Sequence, residues 1–232
     1  MREKVDPMPF ADRSEAGKRL GKALDRYRGD NVVVLALPRG GVPVAAEVAS
    51  YLEAPLDLLL VRKIGVPTHP ELAMGAIIDG DDPIVVRNAD VIRLAWVSAA
   101  EFDKSCEREL AEIERRRRLY AGNRHPLDVK SRIAIIVDDG IATGATVRAA
   151  IRGLRRRKPC SIVVAVPVAP PETIEALRKE ADDVVCLEEP EFFQAIGLYY
   201  RDFHQLRDQD VIALMDAAQA RVSAGTPPAV DK

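Results

Sequence analysis

The sequence has few of the residues that build disulfide frameworks, metal clusters or membrane spans. Its three cysteines, Cys106, Cys160 and Cys186, are scattered and lack the spacing of metal ligands, which is typical of a reducing compartment. No apolar run approaches the roughly 20 residues of a transmembrane helix. Residues 2–9 contain no apolar signal-peptide segment. We therefore expect a cytoplasmic protein without a membrane partner.

An excess of charge of one sign is also missing. Lys and Arg number 34 and Asp and Glu number 36, for a formal net charge of −2, so no overall basic field would attract nucleic acid. Two basic runs, residues 115–118 and 155–158, lie at the predicted C-terminal ends of helices, where cations stabilise the helix dipole. We interpret both runs as solvated helix surface and expect no nucleic-acid partner.

Short apolar runs alternate with segments of helical periodicity along most of the chain. Buried strands are predicted at residues 31–37, 56–61, 133–137, 161–166 and 183–187, and helices at 42–52, 98–120, 147–157 and 171–180. Residues 76–78 and 84–86 flank a turn at 79–83 and predict a hairpin. The alternation predicts an α/β fold whose central parallel sheet has helices on both faces. Residues 221–232 are predicted to be a disordered tail.

The strand at residues 133–137 runs directly into two acids and a turn rich in glycine and threonine. Ligands of open α/β sheets bind beyond the carboxyl ends of the strands. There the backbone N–H groups of residues 142–146 would face outward at a helix N-terminus and favour a phosphate. Asp138 and Asp139 would repel a phosphate but suit a ribose diol or a cation. The alternative is a solvated acidic turn that caps a helix.

This segment resembles the motif with which type I phosphoribosyltransferases bind 5-phosphoribosyl-1-pyrophosphate (PRPP); it reads IIVDDGIATGATV at residues 135–147. The resemblance implies a small hood lobe beside the sheet and a Mg²⁺ cofactor. It implies that Asp138 and Asp139 hold the ribose hydroxyls and contact the metal directly, through those hydroxyls or through water. The PRPP-binding residues implied by the motif are Asp138, Asp139, Gly140, Ile141, Ala142, Thr143, Gly144, Ala145 and Thr146.

Residues 37–41, LPRGG, follow the first buried strand and resemble the family's pyrophosphate loop, which often contains a cis peptide. The resemblance implies that Arg39 neutralises the pyrophosphate while the N–H groups of Gly40 and Gly41 bind its oxygens. Arg62, Lys63 and a loop to residue 75 are similar to the family's mobile catalytic lid. Lys63 is the predicted lid cation and, with Arg39, a predicted catalytic residue; the alternative is a solvated strand end.

Residues 191–203 contain much of the aromatic content of the chain. They resemble the hood segment that purine phosphoribosyltransferases lay over the base, so Phe192 or Phe193 would stack on the acceptor; the alternative is core packing. Asp202 is a further candidate metal contact. The purine enzymes carry an acid inside the PRPP loop, whereas residues 140–142 here are Gly-Ile-Ala. This departure leaves the acceptor open.

Together these features predict one domain over residues 13–220 with a core at about 31–187. The hood would combine the N-terminus, part of 90–130, and 188–207. The expected function is Mg²⁺-dependent transfer of a phosphoribosyl group from PRPP to a nitrogen acceptor such as a nucleobase, with release of pyrophosphate, in a homodimer. The alternatives are a non-catalytic sensor of PRPP or nucleotides and a domain that serves a partner enzyme.

Overall fold

Two sheets organise the part of the chain that the structure describes. The computed structural model describes residues 10–80, 82–122 and 124–225, with side chains to residue 221. The strands are β1 (Val32–Ala36), β2 (Leu56–Leu58), β3 (Val61–Val66), β4 (His69–Ile78), β5 (Ile84–Arg87), β6 (Ile133–Val137), β7 (Ser161–Val168) and β8 (Asp183–Glu188). The helices are α1 (Arg13–Ala23), α2 (Gly41–Leu52), α3 (Ala89–Leu94), α4 (Ala99–Ala121), α5 (Ala145–Arg156), α6 (Pro171–Arg178) and α7 (Asp208–Gly225).

The central sheet has five parallel strands in the order β2-β1-β6-β7-β8. Successive side chains of β1 enter different cores, because side chains alternate across a strand: Val32 and Val34 pack on one face, and Val33 and Leu35 on the other. Helices α1, α2 and α7 cover the first face, and α5 and α6 cover the second. The predicted α/β fold with helices on both faces is confirmed.

The predicted lid loop forms a hairpin instead, and this part of the sequence interpretation was wrong. Strands β3 and β4 pair antiparallel, with Val61 opposite Ile78, and β4 also pairs with β5 to form a second sheet. The glycine and proline that suggested a loop lie in a bulged region, where a methyl group on Gly65 would come 2.9 Å from Pro70 Cα. The predicted strand at 56–61 is divided between β2 and the start of β3.

Two parts of the predicted hood come together in the structure. The N-terminus and the C-terminal segment do meet, because Phe10 forms a parallel bridge with Tyr200. Helix α4, from the predicted 90–130 part of the hood, packs on β3 and on α7. It begins with a capping box of Ser98 and Glu101. Helix α7 continues through residue 225, so the predicted tail starts later than expected; residues 226–232 lie outside the described part.

Candidate functional site

The two glycine-containing motifs meet at the carboxyl edge of the central sheet. Strands β1 and β6 are neighbours, and the Leu37 N–H donates to the Val137 carbonyl at 2.9 Å. A methyl group on Gly40 would lie 2.5 Å from Asp139 Cγ, and one on Gly41 would lie 2.8 Å from Asp138 Cα. Both positions therefore need glycine for this close approach. The peptide bond between Pro38 and Arg39 is cis, which is the feature that the resemblance implied.

Asp139 is fixed by contacts that the sequence did not suggest. It is 7% exposed, and its Oδ2 accepts a hydrogen bond from Arg13 Nε at 2.8 Å. The Arg13 guanidinium also donates to the His204 carbonyl and lies 3.8 Å from the ring centre of Phe203. The Tyr200 hydroxyl donates to the Asp139 carbonyl at 2.5 Å. Contacts from helix α1 and from residues 200–204 thus fix the position of Asp139.

Asp138 lies at the mouth of the site and is half-buried. Its Oδ1 accepts the Asp139 N–H at 2.9 Å. Burial, reinforced by the negative charge of Asp139, raises the pKa of Asp138 well above its ordinary value. A cation or a pair of hydroxyl donors beside this carboxyl group would stabilise its ionised form.

The turn before α5 offers a row of backbone donors. Within the described residues, the N–H groups of residues 142–146 have no hydrogen-bond acceptor, and no side chain caps the helix. Gly144 takes a φ of +71°, a left-handed conformation that glycine adopts without strain. The Thr173 hydroxyl donates to the Ala142 carbonyl at 2.7 Å and holds the turn from behind. The predicted phosphate seat depends on such outward N–H groups, and phosphate binding here stays a prediction.

A pocket of about 180 Å³ connects both motifs with two arginines. Its lining residues are Leu37, Pro38, Leu59, Leu60, Val61, Arg62, Arg116, Asp138 and Thr146. Lys63 points away from this pocket, because adjacent residues of a strand face opposite sides. It lines a second cleft, of about 560 Å³, between the antiparallel sheet and α5. Arg62 and Asp138 thus line one pocket, whereas the predicted Lys63 lines the second cleft.

The pyrophosphate loop keeps fewer free donors than the resemblance implied. The Gly41 N–H donates to the Leu37 carbonyl at 3.0 Å, which leaves Gly40 as the available glycine donor. Arg39 Nη1 lies 3.6 Å from Asp208 Oδ1, and Asp208 accepts a hydrogen bond of 2.6 Å from the Tyr120 hydroxyl. Burial and this hydrogen bond raise the pKa of Tyr120 to about 12. Arg39 is therefore oriented by the first residue of α7.

The aromatic segment lies over Gly140, where a methyl group would come 2.6 Å from Ile196 Cγ2. Phe192 is 81% exposed, whereas the Phe193 ring stacks on Tyr199 with 5.8 Å between centroids. Asp202 is exposed and pairs with His204 Nδ1 at 2.9 Å. The segment thus covers Gly140 of the motif, and Phe192 is its most exposed ring.

The carboxylates set what kind of metal site is feasible. The described residues contain no group of three or more side chains able to hold a metal ion. Asp139 is paired with Arg13, whereas Asp138 has no cationic partner among the described residues. Mg²⁺ commonly keeps several waters and binds through one or two carboxylates plus substrate phosphates. The donor set therefore fits a Mg²⁺ ion that arrives with a polyphosphate.

Comparison with known proteins agrees with this geometry. Residues 14–203 match the family model of the phosphoribosyl transferase domain. The chain belongs to the phosphoribosyltransferase family. This assignment confirms the resemblance stated from the two motifs.

Among the helices of the described residues, none combines the length and the apolarity needed to cross a bilayer.

Three known proteins are similar to this chain over different shares of its length. A Mycobacterium tuberculosis H37Rv protein, provisionally named a phosphoribosyl transferase, is 47% identical over 209 residues. That match covers 90% of this chain but 47% of the relative, so the chain spans about half the relative's length. The crystal structure of TT1426 from Thermus thermophilus is 40% identical, with a TM-score of 0.79 and coverage of 90% of this chain and 98% of that one. A uracil phosphoribosyltransferase of Lactobacillus delbrueckii subsp. bulgaricus is 41% identical over 59 residues, 25% of this chain and 28% of its own.

Proposed function

We propose that the protein transfers the 5-phosphoribosyl group of PRPP to a nitrogen acceptor and releases pyrophosphate, with Mg²⁺ as cofactor. The observation that carries the proposal is the pocket in which Pro38, Asp138 and Thr146 lie together with two arginines. One edge of the sheet then offers a carboxylate for the ribose diol, N–H groups for the 5′-phosphate and cations for the pyrophosphate.

Each part of PRPP has a counterpart among these residues. Asp138 would accept hydrogen bonds from the ribose hydroxyls, and Asp139, held by Arg13, would keep Asp138 and the Gly40 loop in position. The N–H groups of residues 142–146 would bind the 5′-phosphate. Residues Arg39 and Arg62 would face the pyrophosphate. The lid role predicted for Lys63 would require the β3–β4 hairpin to move over the site.

Catalysis would be electrostatic, because the bond between the anomeric carbon and pyrophosphate breaks as negative charge grows on the leaving group. Mg²⁺, when bound, supplies positive charge to the pyrophosphate oxygens. Arg39 and Arg62 would add fixed positive charge that needs little reorganisation during the reaction. No nucleophilic side chain is required for this transfer.

A nucleobase is the acceptor class that we propose. The uracil enzyme named above shares 41% identity over its matched 59 residues. Phe192 leaves 81% of its surface exposed, and an exposed aromatic ring offers a face on which a flat heterocycle can stack. The absence of an acid at residues 140–142 argues against acid–base help from the loop. We further propose a cytoplasmic location and a homodimer.

A second candidate is a domain that serves a partner enzyme or senses PRPP without turnover. It is favoured by the length of the Mycobacterium tuberculosis relative, of which this chain matches 47%. In that case the site would bind PRPP, while the reaction of the whole protein would belong to another domain. Binding and turnover must therefore be measured separately.

The test is calorimetric titration with PRPP and Mg²⁺, followed by a pyrophosphate-release assay over a panel of nucleobases. We expect Asp138→Asn to weaken PRPP binding at least tenfold, because a hydrogen bond to a charged group contributes about 1.5–3 kcal/mol. A chelator should have a similar effect. The control is Asp128→Asn, since Asp128 is exposed and precedes the opposite end of β6. Wild-type protein that binds no PRPP would refute the proposal, and binding without release for any base would favour the sensor.

A further inference from the structure

Helix α4 carries four consecutive arginines, and the structure gives them different environments. Arg115 and Arg118 are 60% and 78% exposed and pair with Glu112 and Glu114 on the same helix. Consecutive residues of a helix point about 100° apart. Arg116 consequently faces the pocket at the sheet edge, and Arg117 faces the protein interior. The solvated surface expected from the sequence is therefore wrong for these two arginines.

Arg117 anchors α4 to the wall of that pocket. Its Nη1 lies 2.8 Å from Asp57 Oδ1 and its Nη2 lies 2.5 Å from Asp79 Oδ2. Asp79 in turn accepts the Leu60 N–H at 2.8 Å. Because Asp57 lies in β2 and Leu60 lines the pocket, this buried network fixes α4 against the wall that faces Asp138. Breaking such a network is strongly destabilising. Because the network holds α4 in place, it also fixes the backbone from which the neighbouring Arg116 extends.

The Arg116 side chain retains unused donors. Its Nε donates to Glu112 Oε1 at 2.6 Å, and no other partner occurs among the described residues. A guanidinium has five N–H donors, so its terminal amino groups stay available. The hydrogen bonds from Arg115 and Arg116 lower the pKa of Glu112 to about 2, which keeps that carboxylate ionised. Two arginines thus share one carboxylate, and a positive charge remains beside the pocket.

A second pair of arginines extends the same pattern. Arg62 Nη2 lies 2.7 Å from Glu109 Oε2, and Arg108 Nε lies 3.3 Å from the other oxygen of that carboxylate. Cations from β3 and from α4 therefore line one pocket that also contains Pro38 of the pyrophosphate loop.

We infer that Arg116 binds the pyrophosphate group of PRPP, as a binding residue that helix α4 adds to the site. The inference rests on the proposed function. A diphosphate carries enough negative charge and enough oxygen acceptors to engage several guanidinium groups at once. The 5′-phosphate has its own donors at residues 142–146, whereas Arg116 shares its pocket with Pro38 and Arg62. The pyrophosphate is therefore the part of PRPP that this cation fits.

The experiment compares Arg116→Gln with Arg115→Gln by calorimetric titration. Arg115 is the matched control, because it pairs with the same Glu112 but does not line the pocket. The probes are magnesium pyrophosphate and ribose 5-phosphate. We expect Arg116→Gln to weaken pyrophosphate binding about tenfold or more, as for a lost charged hydrogen bond, and to leave ribose 5-phosphate affinity unchanged. Arg115→Gln should change neither affinity by more than about twofold, as for a solvated ion pair.

Each outcome has a distinct meaning. Equal pyrophosphate affinities for the two variants would overturn the role of Arg116 while leaving the proposed function intact. Equal losses for both probes would mean that Arg116 supports the pocket rather than the pyrophosphate, and would also overturn the inference. A wild-type protein that binds neither probe would overturn the proposed function itself. If Arg116→Gln folds poorly, Arg116→Lys keeps the charge without the planar fork and should show a smaller loss specific to pyrophosphate.

Discussion

The buried ion pair between Arg13 and Asp139 leads to a quantitative prediction about stability. The two side chains are 10% and 11% exposed, with 2.8 Å between Nε and Oδ2. The substitution Arg13→Met keeps much of the apolar stem but leaves Asp139 buried without its cation. Removing one partner of a buried pair costs about 3–5 kcal/mol. At about 2–4 °C per kcal/mol for a domain of this size, Tm should fall by roughly 6–20 °C.

The assay is urea denaturation of Arg13→Met, Asp139→Asn and the double variant. The double variant should be less destabilised than the sum of the single variants, because it removes both charges at once. Arg19→Met is the control: Arg19 lies on the same helix and pairs with Glu188 at 3.0 Å but is 41% exposed. A surface pair contributes at most about 1 kcal/mol. The reasoning fails if Arg13→Met loses no more stability than Arg19→Met, or if the single losses are additive.

Three further predictions concern Asp79, Gly40 and Phe192. Burial raises the pKa of Asp79 from 3.8 to about 6, so between those values the folded state holds a proton that the unfolded state has lost, and stability falls as pH rises. The stability of Asp79→Asn relative to wild type should therefore rise by up to about 3 kcal/mol between pH 4 and pH 7, as measured by denaturation at both pH values. A stability difference that does not change with pH would contradict this. Gly40→Ala places a methyl group 2.5 Å from Asp139 Cγ, and titration should show weaker PRPP binding; unchanged affinity would mean that the loop relaxes freely. Phe192→Ala should raise the acceptor KM by the equivalent of roughly 1–3 kcal/mol of stacking, whereas an unchanged KM would remove this ring from the acceptor site.

Local sequence was sufficient for the central sheet and for the placement of both motifs at its carboxyl edge. Runs such as residues 133–137 are apolar and rich in β-branched residues. This composition is typical of parallel strands that helices cover on both faces. The two motifs follow neighbouring strands, and their glycines reflect a need for close backbone approach that is encoded at each position. Asp138, Gly40 and Gly144 were identified for this reason. Their geometry depends mainly on the turn in which each lies.

Tertiary structure alone decided which charged side chains reach that site. Arg13 is 126 residues from Asp139, and no local pattern marks it among the arginines of the chain. The side of the sheet to which Arg62 and Lys63 each point depends on the register of β3, and pairing with β4 determines that register. Arg116 and Arg117 belong to a run that is typical of solvated helix surface, and only the packing of α4 against β3 separates them from their exposed neighbours. Long charged side chains acquire a role from what surrounds them, and the surroundings come from distant parts of the chain.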